Sequence, residues 1–270
     1  MEESTKRYAV VTGANKGLGW GIVKLLASTG VMVVLTARDE TRGLEAVEKL
    51  NECGLSDHVV FHLLDVMDPA SIAPLADFIR IQYGKLDILS FYFIQDDLQN
   101  VWKKVLIQNY ELAEECLNTN CCGAKRTAEA LIPLLQLSDS PRIVNNIPNE
   151  WAKGVFSDVD TFTEERIDEL LSVFLKDFKE DSLETKGWPA LLSAYVLSKA
   201  AMNAHTRILA KKYPNFCINC ICPGFVKTDM SNNTGTLSVD EAAEYPVKLA
   251  LLPDGGPSGL FFILDKLSCF

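Results

Sequence analysis

The stretch SAYVLSKAAMNAHTR, residues 193–207, sets a phenol and a primary amine, Tyr195 and Lys199, four residues apart. On a helix that spacing puts both side chains on one face, one turn apart. A free phenol titrates near pH 10. A cation beside it lowers that value and makes the pair a proton donor to an oxygen near neutral pH. A second chemistry-bearing segment stands near the other end of the chain. There TGANKGLGWG runs through Thr12, Gly13, Asn15, Lys16, Gly17, Leu18 and Gly19, directly after the apolar run YAVVT. A glycine-rich turn from strand to helix lets backbone approach a pyrophosphate, which then rests on the helix N-terminus.

Two cations refine that reading. Arg38, in TARD, stands where an acidic residue would hydrogen-bond a ribose 2′-hydroxyl, and Lys16 precedes the second glycine. Both suit a 2′-phosphate, hence NADP(H). Asp65, followed by Val66 at the end of a third apolar run, is placed to meet the adenine amino group.

The elements that must position these groups follow from the hydrophobic pattern. Strands are expected at 8–12, 31–36, 59–64, 86–89, 142–145, 217–222 and 260–264, and helices near 17–28, 41–52, 70–83, 103–137, 194–212 and 238–251. Such alternation implies crossover connections and a Rossmann-type doubly wound parallel sheet with helices on both faces, α/β in class, in a single domain over 1–270. An additional helix within 161–189 breaks the rhythm. Thr161-x-x-Glu164 offers a capping box at its start, and Ile167, Leu170, Leu171, Phe174, Leu175 and Phe178 recur at helical spacing. The insertion, 150–190, reads as a lid whose apolar stripe lines a pocket for a hydrophobic substrate, ahead of the Tyr195 helix.

Composition excludes several classes. The chain has 270 residues, 48% hydrophobic and 23% charged, with a net charge of −10. That balance argues against nucleic acid and anionic membrane as partners. No apolar run approaches the ~20 residues of a membrane span, and MEESTKRYAVV leads almost directly into a strand, so a cytoplasmic protein is expected. Eight cysteines are present, but Cys217-x-x-Cys220 has no second CxxC and His58, His62 and His205 are scattered. Reduced buried thiols and no metal site are the expectation.

TGxxxGxG with YxxxK at this distance resembles the short-chain dehydrogenases/reductases, essentially end to end. Phrases such as LTARDETRGLEA, LIPLLQLSDSPRIVN, CPGFVKTDM and LLPDGGPSGLFF are similar to the plant branch containing salutaridine, menthone/neomenthol and isopiperitenone reductases. The resemblance implies an NADPH-dependent, monomeric reductase of small hydrophobic cyclic ketones or enones of terpenoid or alkaloid type. It implies Tyr195 as general acid, Lys199 as its electrostatic partner and cofactor-ribose ligand, and Asn120 as anchor of a water chain behind the lysine. Pro223, Gly224, Val226 and Thr228 match cofactor-facing positions of the family.

Two departures stand out. The hydroxyl-bearing segment that follows the fifth strand in the family is replaced by NNIPNEWAKG, with the serine's place falling at or near Pro148, as though a short segment had been excised. Asn146 is the candidate substitute donor. After the fourth strand, Ser90, Phe91, Tyr92 and Phe93 replace Asn-Asn-Ala-Gly, placing bulk where a nucleotide needs clearance. These losses leave two alternatives beside the reductase: a non-redox isomerase or cyclase using Tyr195, and a catalytically silent binding protein.

Overall fold

The structure, a computed structural model, describes residues 6–92, 109–147, 163–189 and 192–268. Seven strands run parallel in the order β3-β2-β1-β4-β5-β6-β7 and an eighth closes the edge antiparallel. They are β1 (Tyr8–Val11), β2 (Met32–Ala37), β3 (Val59–Leu63), β4 (Ile88–Phe91), β5 (Arg142–Asn146), β6 (Cys217–Cys222), β7 (Phe261–Ile263) and β8 (Lys266–Ser268). The seven expected strands are present with ends shifted by a residue or two, β6 without any shift. Strand β8, three residues of which none is buried, carries too short a pattern to be read from sequence. Central strands β1, β4, β5 and β6 are buried almost throughout, as a sheet covered on both faces requires.

Helices α1 (Gly17–Ser28), α2 (Glu40–Glu52) and α8 (Val239–Ala250) cover one face. Helices α3 (Pro69–Tyr83), α5 (Ala124–Leu135) and α7 (Ser193–Lys212) cover the other. The single helix expected at 103–137 is, over its described part, three pieces: α4 (Tyr110–Leu117), a π-helical turn at Asn118–Gly123, and α5. A π turn admits one extra residue per turn and recurs at functional sites. Here it carries Asn120, which is buried.

The additional helix is α6 (Glu164–Lys179). Its N-cap is Thr163, whose side chain accepts from the Arg166 amide at 3.3 Å, in place of the expected Thr161, which lies outside the described residues. Ile167, Leu171 and Phe174 are buried in a cluster with Ala113 and Leu117 of α4 and Leu197, Ala201 and Ala204 of α7. The stripe thus packs on the flank of the domain, against α4 and α7. The reason is that α4 and α7 present small and aliphatic residues there, and covering them removes apolar surface worth about 1.5–3 kcal/mol per large side chain.

No described helix is long and apolar enough to cross a membrane, and the described residues hold no cluster of metal-ligating side chains. All described cysteines are free thiols. Cys217 and Cys220, three apart on a strand, face opposite sides of the sheet; Cys220 meets the Thr206 hydroxyl at 2.9 Å and Cys217 the Gly256 carbonyl at 3.6 Å.

Candidate active site

The carboxyl ends of β1 to β4 border a cleft. Thr12, Gly13 and Asn15 line it after β1, Ala37 and Arg38 after β2, Leu64 to Met67 after β3, and Tyr92 after β4, with Thr119 from the π turn. Gly13 and Gly17 adopt φ of 58° and 57°, a left-handed conformation that glycine takes at no steric cost. Helix α1 begins at Gly17, and its N-cap, Lys16, makes no side-chain cap bond, so the first-turn amides keep their capacity for an acidic oxygen. A Cβ on Gly19 would lie 2.6 Å from the Gly13 carbonyl oxygen, so the turn folds back onto the helix only with glycine there. Leu18 belongs to the core beneath. This cradle, with Arg38 at its mouth and Asp65 and Val66 on its wall, fits the adenosine half of a phosphorylated dinucleotide.

Lys16 departs from expectation. Its ammonium pairs with the Asp229 carboxylate at 3.1 Å, and it does not line the cleft. The link ties the glycine turn to the loop after β6. In the same loop Thr228 caps a short turn, and its methyl would lie 3.5 Å from a Cβ on Gly17. Val226 is bridged to Leu237, and Gly224 takes φ of 86° beneath Leu264 and Leu237. Pro223, buried, ends β6.

Helix α7 carries the other constellation. Its N-cap, Leu192, is left-handed at φ 55°, and its carbonyl accepts from Val196 at 2.8 Å. Tyr195 is partly exposed, and the Lys199 ammonium lies 5.5 Å from its ring centre. Burial lowers the Lys199 amine to about 8, while the Met202 sulfur stands 3.8 Å away. Burial, with smaller contributions from Cys116, Tyr92 and Cys222, raises the Tyr195 phenol above its ordinary value. Asn120 stands behind this pair, where its amide nitrogen meets Ser198 Oγ at 3.1 Å and Cys116 Sγ at 3.4 Å. Ser198 in turn donates to the Tyr195 carbonyl at 2.8 Å. Sequence reasoning passed over Ser198 and Cys116; the serine directly before Lys199 was the available signal.

Residues 7–149 match the family model of short chain dehydrogenases. The chain belongs to that family. It is 52% identical over 296 aligned positions to (+)-neomenthol dehydrogenase of Arabidopsis thaliana, with 100% of both chains covered. The solved structure of salutaridine reductase from Papaver somniferum superposes with a TM-score of 0.85 at 47% identity, covering 97% of this chain and 100% of that one. Menthone neomenthol reductase from Mentha piperita gives 0.83 at 46%, with the same coverage. An alignment of 296 positions against a chain of 270 means that the Arabidopsis relative carries segments this chain lacks.

Within this short-chain dehydrogenase the two departures resolve differently. Asn146 is not a free donor: its amide nitrogen meets the Phe91 carbonyl at 3.0 Å and Ser90 Oγ at 3.3 Å, tying β5 to β4. Its oxygen is buried and has no hydrogen-bond partner among the described residues. Phe91 points into the core, among Leu89 and Ile143, and leaves the cleft clear. Tyr92 does line the cleft. Phe93 and Pro148 lie outside the described residues.

Proposed function

We propose that this protein is a cytoplasmic, monomeric NADP(H)-dependent oxidoreductase acting on a small hydrophobic cyclic ketone or enone, or the matching alcohol, of terpenoid or alkaloid type. The observation that carries the reading is the buried Lys199 ammonium held 5.5 Å from the Tyr195 ring on a helix beside the glycine-turn cleft. Relatives of about half identity over the whole chain are named dehydrogenases and reductases, which favours redox chemistry over an isomerase, cyclase or silent binder.

Gly13, Asn15, Gly17, Leu18, Gly19, Arg38, Asp65 and Val66 would hold the adenosine and phosphate end, and Lys199, Pro223, Gly224, Val226 and Thr228 the nicotinamide end. The bound cofactor supplies the hydride. Tyr195 gives its proton to the carbonyl oxygen, and the phenol oxygen has no hydrogen-bond partner among the described residues to compete with substrate. Lys199 stabilises the phenolate that remains. Asn120 and Ser198 fix the turn of α7 that carries both. Helix α6 covers the flank of α4 and α7, which removes that apolar face from pairing with a second copy and supports a monomer.

Loss of nicotinamide absorbance with cyclic monoterpenoid and alkaloid ketones tests this reading. Activity abolished by Tyr195→Phe supports it. Product formed at an unchanged rate by that variant, or formed without cofactor consumption, refutes it.

A further inference from the structure

The π turn touches both halves of the site. Thr119 donates from its hydroxyl to the Met67 sulfur at 3.0 Å, and both residues line the cleft. Gly123, at the end of the same turn, abuts the wall after β3: a Cβ there would lie 2.9 Å from Val66 Cγ2, 3.0 Å from Val66 Cβ and 3.1 Å from the Val66 carbonyl oxygen. That wall is braced. The Asp65 amide donates to Ser71 Oγ at 2.8 Å, the Met67 amide to Asp65 Oδ1 at 2.9 Å, and the Asp68 amide to the Asp65 carbonyl at 3.1 Å. Asn120, between Thr119 and Gly123 in sequence, meets Ser198 Oγ on α7, and that hydroxyl holds the Tyr195 carbonyl. Gly123 takes φ −65° and ψ −43°, an ordinary right-handed helical conformation. Alanine is favoured over glycine in such backbone. The glycine therefore answers to the closeness of Val66 and not to a turn.

We infer that the π turn is a strut between the cofactor wall and the catalytic helix, and that Gly123 is a positioning residue for Tyr195. It lets the turn seat on Val66 closely enough for Asn120 to hold the Ser198–Tyr195 turn of α7 in register with the cleft. The inference rests on the proposed NADP(H)-dependent reaction and deepens it, since the wall would carry the cofactor and α7 the proton donor. Ordinary contact begins at 3.4 Å, so a Cβ at position 123, 2.9 Å from Val66 Cγ2, forces a retreat of about half an ångström. The wall is braced, so the turn is the part that yields, and Asn120 moves with it. A misplacement of about 1 Å costs on the order of 100-fold in rate, and half of that about tenfold.

The test is Gly123→Ala in the full chain. It is read as kcat with NADPH and a cyclic monoterpenoid ketone that the native protein reduces, beside calorimetric binding of adenosine 2′,5′-bisphosphate. At saturating NADPH kcat is expected to fall about tenfold, with bisphosphate affinity within about threefold of native. Val66→Ala in the same chain removes the nearest atom and is expected to return at least about threefold of the loss. Should Gly123→Ala fold poorly, Ser198→Ala, which opens the other seat, carries the same pair of expectations. A kcat within about threefold of native in a folded variant overturns the strut. So does bisphosphate binding lost with kcat intact, which would confine Gly123 to the wall. Incorporated 3-fluorotyrosine, its Tyr195 signal assigned by Tyr195→Phe, reads the surroundings of the phenol without substrate. That signal should shift or split in Gly123→Ala, and an unmoved signal overturns the strut. A native protein that reduces no ketone and binds no bisphosphate overturns the cofactor reading instead, and the fluorine signal still judges the strut.

Discussion

Thr12→Val is the substitution that isolates one contact most cleanly. Valine matches threonine in shape, so the buried site keeps its packing and loses only a hydroxyl that serves as acceptor and donor at once. The Tyr92 amide is left buried without its acceptor, and the Tyr92 carbonyl loses one donor. An orphaned buried backbone donor costs about 1–3 kcal/mol. For a domain of this size each kcal/mol lowers the melting temperature by roughly 2–4 °C. Urea unfolding monitored by tryptophan fluorescence should give a lower midpoint with an unchanged slope. Hydrogen exchange at the Tyr92 amide should accelerate more than at Thr12 itself, whose amide bonds the Ser90 carbonyl at 3.0 Å in the ladder. A loss below about 0.5 kcal/mol, or a Tyr92 amide that stays protected, would refute that contact.

Other consequences concern charge. Lys199 titrates near 8 when folded, well below an unfolded lysine. Between pH 8 and about 10.4 the unfolded chain alone holds that proton, so this residue makes stability rise with pH across that window. Lys199→Met should remove the rise, by up to about 3 kcal/mol, in paired urea titrations at pH 7 and 10; identical pH trends in both proteins would contradict it. In the native enzyme kcat/KM for carbonyl reduction should fall above about pH 8 as the ammonium is lost, and Lys199→Arg should move that limb upward. Asp229→Asn frees Lys16 from its exposed partner. Such a pair contributes about 0–1 kcal/mol. Stability should hardly change, and adenosine 2′,5′-bisphosphate should bind up to about fivefold more tightly; weaker binding would mean that Lys16 is better positioned by its partner.

How far the sequence reaches is clearest at particular residues. Strand β6 keeps the bounds that the pattern of CINCIC gives it, and helix α1 begins where the glycines of TGANKGLG place it, because periodicity and a left-handed glycine are local properties. The division of α4 and α5 by a π turn is not local. It is set by the fit of Asn120 against Ser198 and Cys116, and no period in LNTNCCG announces it. The stripe of α6 was legible as apolar, but whether it faces a pocket or a neighbouring helix depends on what α4 and α7 present across the gap. Lys16 and Asn146 show the same limit. Each has the donors its expected role needs, and each is engaged by a partner far away in sequence: Asp229, and the end of β4. Phe91 and Tyr92 divide by strand alternation, one ring to the core and the next to the cleft.

Isotope transfer tests the central claim most directly. Incubated with NADPH deuterated at the transferring position and a cyclic terpenoid ketone that it turns over, the protein should deliver one deuterium to the former carbonyl carbon of the alcohol, or to the β-carbon of a reduced enone. Product that carries no deuterium, or the same product and rate from the Tyr195→Phe variant, would contradict the account.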